Sequence, residues 1–220
     1  MEKFKVRASS AGKIMGVRGL GKTGEDAAKE WYIEQLYNRR KQFSNKYTNK
    51  GNIMEDASID FIAEHLGYGF LSKNEEYFTN DFFTGTPDII LKSHIIDVKN
   101  SFDPFTFPFF ENECPNKDYY YQGQVYMDLV GRDSYKLIYT LMDTPINIIE
   151  SEARKYCFTN GYDMDDMDVY MDFEKRMTYS DIDAKDRIRV FEFERDNKVI
   201  DSIKLRVDEC REYLSKLTSK

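Results

Sequence analysis

At 220 residues and a net charge of −7, the chain is long enough for one domain with a substantial core and short for two. No stretch approaches the roughly 20 apolar residues that cross a bilayer, and the N-terminus lacks the apolar core of a signal peptide, which points to a cytoplasmic protein with no membrane partner. Cys114, Cys157 and Cys210 are odd in number, widely spaced and without any C-x-x-C, which argues against a disulfide framework, a zinc ribbon and an iron–sulfur cluster and leaves reduced structural thiols.

The charge is unevenly placed. Residues 1–50 carry twelve Lys or Arg against five acids, a net of +7, which leaves −14 for residues 51–220. Arg39, Arg40, Lys41, Lys46 and Lys50 read either as the solvated side of a helix or as a phosphate-facing patch. In chain order, Ser9 or Ser10 caps a short helix through Met15. Gly16, Gly19, Gly21 and Gly24 form a loop that only approximates a Walker spacing and follows no strand, so an NTPase is set aside. Thr23 with Asp26 opens a helix running to about Gln42. A third helix covers residues 50–65 and stops at Gly67; Glu55 shares its stripe with Ile59, Ile62 and Leu66, and an acid on a buried stripe needs a partner.

Short runs at 76–79, 82–84, 88–92 and 94–99 then read as a strand meander, broken at Asn80-Asp81, at 85–87 and at Lys92-Ser93. The aromatic run Phe102, Phe105, Phe107, Phe109 and Phe110 folds onto the core or stacks on bases, and the core is the commoner use. A helix over 118–130 carries Tyr119, Gln122, Tyr126 and Leu129 on one face. A strand at 135–142, a helix at 146–158, a strand at 187–194 and a helix from 197 or 201 to 217 complete the chain. Five aspartates within 163–172 read as a solvated face or loop, and the wider acidic segment 163–183 as a solubility or partner surface. This order predicts an α/β or α+β fold, one unit over 1–220, with a mixed central sheet flanked by helices.

The chemistry concentrates between residues 85 and 99. In a strand alternate side chains share a face, so Asp97 and Lys99 point one way while Ile96 and Val98 point the other. Asp88 follows the turn Gly85-Thr86-Pro87. Two carboxylates close together are costly unless a cation neutralises them, and hard oxygen donors suit Mg²⁺ or Mn²⁺. His65 and His94 read as surface or helix-end residues, not ligands.

Glu55 on a helix, Asp88 after Thr-Pro, Asp97-Val98-Lys99 on a strand and Gln122 with Tyr126 on the next helix follow the order of the PD-(D/E)XK nuclease superfamily. Within it the chain resembles the phage lambda exonuclease and YqaJ-like viral recombination nucleases, through Arg7-Ala8-Ser9-Ser10 and the segments 51–55, 85–88, 96–99 and 119–126. The match spans about 7–140, and 141–220 lies outside it. The resemblance implies a restriction-endonuclease-like core that hydrolyses DNA with Mg²⁺, for which Mn²⁺ can substitute. Asp88, Asp97 and the Val98 carbonyl would ligate the metal, and Glu55 would hold a water or a second ion. Lys99 would orient or deprotonate the attacking water, Gln122 would position Lys99 or that water, and Tyr126 would support the helix or touch the backbone.

Digestion from a 5′ end of linear duplex DNA, a phage recombination role beside a single-strand annealing protein, and a ring-shaped trimer are further implications, with the host cytoplasm as the location if the chain is phage-encoded. Ser9, with Ser10, Arg7 and Lys13, reads either as a seat for the 5′-phosphate or as an ordinary helix cap. Arg7 departs in spacing from the family's phosphate-binding arginine. The rival readings are an endonuclease of the same superfamily, for restriction or repair, and a non-catalytic DNA-binding protein with a decayed site, against which the intact acid-acid-lysine set stands.

Overall fold

The computed structural model describes residues 2–41 and 45–219. Its strands fall into two mixed sheets. β1 (Val6–Arg7), β2 (Phe78–Thr79) and β3 (Phe83–Gly85) form one, in the order β1-β3-β2, with β1 parallel and β2 antiparallel to β3. β4 (Ile89–Ile90), β5 (Ile95–Asn100), β6 (Ser134–Thr140) and β7 (Ile188–Glu194) form the other in sequence order, with β5 and β6 parallel and the outer pairs antiparallel. The mixed α/β architecture is the expected one; the single meander is not, because β3 and β4 part company at Thr86-Pro87. Proline has no N–H for a ladder and holds the preceding residue extended. Asn74 takes up this segment instead, its Nδ2 donating to the Pro87 carbonyl at 2.9 Å and its N–H to the Asp88 carbonyl at 2.7 Å.

A parallel pair requires a crossover, and α3 (Lys117–Val130) supplies it between β5 and β6. β5 is consequently covered on both faces, the usual state of a parallel strand. Ile96 and Val98 pack with Ile138 beneath α2 (Lys46–His65), against Ile59, Ile62 and Ala63. Ile95 faces the other way, into a core shared by Val125, Tyr126 and Met127 of α3 and by Ile200, Ile203 and Val207 of α6 (Asn197–Thr218). α3 lies so close to the sheet that a Cβ on Gly123 would meet the Tyr135 ring at 2.4 Å. Asp97, Lys99 and the terminal Asn100 are the polar exceptions on a strand built for burial.

Several boundaries differ from the expected ones for local reasons. The N-terminal serines sit inside a 3-10 helix, Ala8–Ile14, whose N-cap is Arg7. α1 (Gly21–Tyr37) begins without a side-chain cap, Asp26 being paired with Lys22, and it ends at Asn38, which takes the left-handed conformation at φ 48°; the expected end at Gln42 lies outside the described residues. α2 starts earlier than residue 50 because Asn45 and Thr48 form a reciprocal capping box. α4 (Ile146–Asn160) is followed by a helix the acidic segment concealed, α5 (Met167–Met177), whose first N–H groups are accepted by the Asp166 carboxylate. The three cysteines are free, and among the described residues no helix is long and apolar enough to cross a membrane.

Candidate active site

The period of β5 puts Asp97 and Lys99 on the α3 side, where both lose water. Asp97 has no exposed surface and is ion-paired through Oδ2 with the Lys99 ammonium. Its other oxygen, Oδ1, accepts from Gln122 Nε2 at 3.2 Å. The same amide donates to the Tyr126 hydroxyl at 3.1 Å, and that hydroxyl donates to the Thr86 carbonyl at 3.2 Å. Gln122 and Tyr126 stand one helical turn apart on α3, so one helix face links the Thr86-Pro87 turn to the strand carrying Asp97. Gly85 permits this approach: a Cβ there would fall 2.7 Å from the Tyr126 ring. Burial disfavours the Lys99 ammonium, yet the Asp97 and Asp88 carboxylates outweigh it and hold Lys99 above the ordinary lysine value. The direction of that shift favours the charged ammonium of Lys99 in this structure. Its ammonium also lies 5.2 Å from the Tyr119 ring centroid.

Asp88 approaches from the strand edge. β4 pairs with only Ile95 and Ile96, so β5 beyond Ile96 has a free edge, and the Val98 N–H there donates to Asp88 Oδ2 at 2.7 Å. A residue in an extended strand presents its N–H and C=O on the same edge, so the Val98 carbonyl emerges beside Asp88. Burial, and then the charge of Asp97, push the Asp88 carboxyl up to about 8. Burial is the larger cause and the neighbouring carboxylate the second.

Glu55 has the partner its stripe demanded: Lys73 Nζ lies 3.1 Å from Glu55 Oε1 and 3.1 Å from Asp56 Oδ1. Glu55, Asp88, Val98, Lys99 and Gln122 line one cavity of about 830 Å³, together with Ser9 and Tyr119. Asp97 stands behind Lys99 in its wall. The available donors are all hard oxygens, so Asp88, Asp97 and the Val98 carbonyl fit a Mg²⁺ or Mn²⁺ ion. Among the described residues no three His, Cys, Asp or Glu side chains form a closed cluster. Mg²⁺ accepts such an open site, since it keeps several waters and takes only one or two carboxylates.

The N-terminal group expected at a 5′-phosphate is divided. Ser9 reaches the large cavity, whereas Arg7, Ser10 and Lys13 line a separate one of about 430 Å³. Arg7 is ion-paired with the buried Glu34 of α1. Despite burial, which acts the other way, the Arg7 guanidinium holds the Glu34 carboxyl below its usual value. The aromatic run is divided as well: Phe107 is buried, Phe102 lines the large cavity, and Phe105 and Phe110 stand in solvent. Sequence reasoning missed Lys73, which sits in a patternless loop, and gave no role to Tyr119, though it lies one turn before Gln122 on the same helix face.

No protein-family model and no curated protein matches the sequence. The fold is nonetheless shared with solved structures. A phage-related exonuclease from Haemophilus somnus 129PT is 30% identical, with a TM-score of 0.81 over 99% of this chain and 96% of that one. The alkaline exonuclease LHK-Exo from Laribacter hongkongensis shares the fold at 16% identity and a TM-score of 0.65, over 98% of this chain and 93% of that one. LHK-Exo in complex with dAMP matches at 17% identity and a TM-score of 0.61, covering 98% and 88% of the two chains. With near-complete coverage at 30% identity, the chain belongs to the phage-related exonucleases, the lambda-exonuclease and YqaJ-like nucleases of the PD-(D/E)XK superfamily.

Proposed function

We propose that the chain, as one nuclease domain over 1–220, is a Mg²⁺-dependent exonuclease that removes nucleotides from the 5′ end of one strand of linear duplex DNA, with Mn²⁺ as a substitute. The observation that carries this reading is the meeting of Asp88, Asp97 and Lys99 at the one free edge of β5, with Glu55 on the same cavity. Asp88, Asp97 and the Val98 carbonyl would hold the ion, which when bound polarises a phosphate oxygen and lowers the pKa of a water. Lys99 keeps its proton and offsets the charge that builds on the phosphate oxygens. Gln122 fixes the orientation of Asp97, and Tyr126 fixes Gln122 against the Thr86 carbonyl. Glu55, half-exposed in the cavity, holds the attacking water in place.

Ser9 on the cavity wall supports a seat for a 5′-phosphate, and thereby the 5′-to-3′ direction. The same reading leaves a 3′-ended single strand, the substrate of a single-strand annealing protein in phage recombination, and extends to a ring of three copies around the duplex. Linear duplexes with 5′-phosphate or 5′-hydroxyl ends, and a closed circle of the same sequence, test it in Mg²⁺ and in EDTA. The expected result is release of mononucleotides from the 5′-phosphorylated strand in Mg²⁺ only, with the circle intact. Linearisation of the circle would replace the exonuclease by an endonuclease, and cleavage in EDTA would remove the metal.

A further inference from the structure

The loop after β5 presents an aromatic ring to solvent on a braced turn. Phe105 is 96% exposed, whereas Phe107, two residues on, is 6% exposed and anchors the loop in the core. Phe105 sits within a turn closed four times between Asp103 and Thr106: the Asp103 N–H donates to Thr106 Oγ1 at 3.1 Å, the Thr106 N–H to Asp103 Oδ1 at 2.8 Å and to the Asp103 carbonyl at 3.2 Å, and Thr106 Oγ1 to the same carbonyl at 2.9 Å. At its base the buried Lys50 ammonium donates to the Phe102 carbonyl at 2.8 Å, and the Tyr47 ring meets Phe102 edge-on at 4.8 Å. Phe102 and Thr106, on either side of Phe105, line the same cavity as Glu55, Asp88 and Lys99. Hydrogen bonds thus hold a large apolar ring in water at the rim of the cavity, and among the described residues nothing covers that ring.

We infer that Phe105 stacks on the terminal base pair of a duplex whose end has entered the cavity. This rests on the nuclease reading and adds to it the group that selects ends. Every internal base pair has both faces covered by its neighbours, and only an end offers an open π-face. Stacking on that face tolerates any sequence, as an exonuclease requires. Phe109 and Phe110, edge to face at 5.1 Å and both exposed, extend the aromatic surface away from the cavity.

The test uses a blunt linear duplex with 2-aminopurine as its terminal base, bound by Asp97→Asn protein so that no turnover intervenes. Binding should quench the terminal 2-aminopurine, Phe105→Ala in the same background should abolish that response, and Phe105→Trp should restore it. In the otherwise native enzyme Phe105→Ala should raise KM for linear duplex about tenfold with kcat within about twofold. Unchanged quenching and KM in Phe105→Ala would overturn the inference. So would a KM defect that coincides with dissociation of an oligomer in size-exclusion chromatography, because the ring would then pack against a second copy. The quenching requires no catalysis, so failure of wild-type protein to cleave DNA would strike the nuclease reading and leave this result separately legible.

Discussion

Two cavities flank the 3-10 helix Ala8–Ile14, and they handle charge in opposite ways. Ser9 belongs to the larger one with Glu55, Asp88 and Lys99, whereas Ser10 and Lys13 belong to the smaller one with Arg7, Lys5 and Lys41. Three residues per turn send neighbouring side chains about 120° apart, so one short helix serves both. Beside the large cavity the partly buried Asp88 lies near the buried Asp97, which is ion-paired with Lys99, and burial followed by the Asp97 charge raises the Asp88 carboxyl. In the small one Glu34 is matched by Arg7 and Glu30 by Lys41 at 2.9 Å, which leaves Lys5 and Lys13 in excess. The first arrangement ties carboxylates together beside one lysine through hydrogen bonds; the second leaves lysines in excess of acids, a diffuse positive field.

The contrast breaks most completely at Asp97. Asp97→Asn removes the anion paired with Lys99 and proposed to hold the ion, while the amide can still meet Gln122. Cleavage should fall by about 10³-fold or more, with duplex affinity within about twofold by fluorescence anisotropy. Nicking at the wild-type rate would show that the large cavity is not where hydrolysis occurs.

Much of that cavity was legible in the chain because its positions obey short periods. The alternation Ile95, Ile96, Asp97, Val98, Lys99 assigns the faces of β5, and the four-residue step from Gln122 to Tyr126 puts both on one face of α3. The stripe through Glu55 even registered a missing partner. That partner, Lys73, was not legible, since nothing local distinguishes one loop lysine from another. Nor was the packing of the Tyr126 ring against Gly85, a contact between segments about 40 residues apart. The density of aspartate around Asp166 masked a helix for which one of those acids is the cap. Arg7 looked available for a phosphate only while the register of α1, which brings Glu34 beneath it, was unknown.

Asp88 sharpens the comparison through pH. Its carboxyl is pushed from 3.8 up to about 8, so between those values the folded protein retains a proton that the unfolded chain has released. Folded stability is therefore complete below about pH 4 and falls as pH rises through this window. Asp88→Asn abolishes the titration and should match wild type near pH 4 but exceed it at pH 8.5 by on the order of 3–5 kcal/mol in urea denaturation. Mg²⁺ should recover wild type selectively at the higher pH, by about 2.7 kcal/mol at a hundredfold excess over Kd. Parallel pH slopes for the two proteins would assign the titration to another group.

In the small cavity the corresponding change touches stability more than turnover. Arg7→Met keeps the aliphatic stem but leaves the buried Glu34 carboxylate with the Lys41 N–H, at 3.1 Å, as its remaining partner. A loss of about 1–3 kcal/mol is expected, largely recovered by adding Glu34→Gln, with cleavage of a 5′-hydroxyl duplex changed by less than about twofold. A large loss of cleavage at unchanged stability would mean that Arg7 leaves Glu34 to hold the substrate.

The smallest effect decides whether DNA passes the second cavity at all. Lys13 is exposed in the last turn of the 3-10 helix, on the side away from Asp88 and Lys99. A lysine that neutralises one phosphate releases about 0.9 of a counterion, so Lys13→Ala should lower the slope of log K against log salt by about 0.9. The affinity loss should be a few-fold at low salt and shrink as salt rises. Asp97→Asn, measured in parallel, should leave the slope unchanged, because its charge is buried and met by Lys99. An unaltered slope in Lys13→Ala would make the positive charge of residues 1–50 solvated surface and leave phosphate recognition to the wall that holds Ser9.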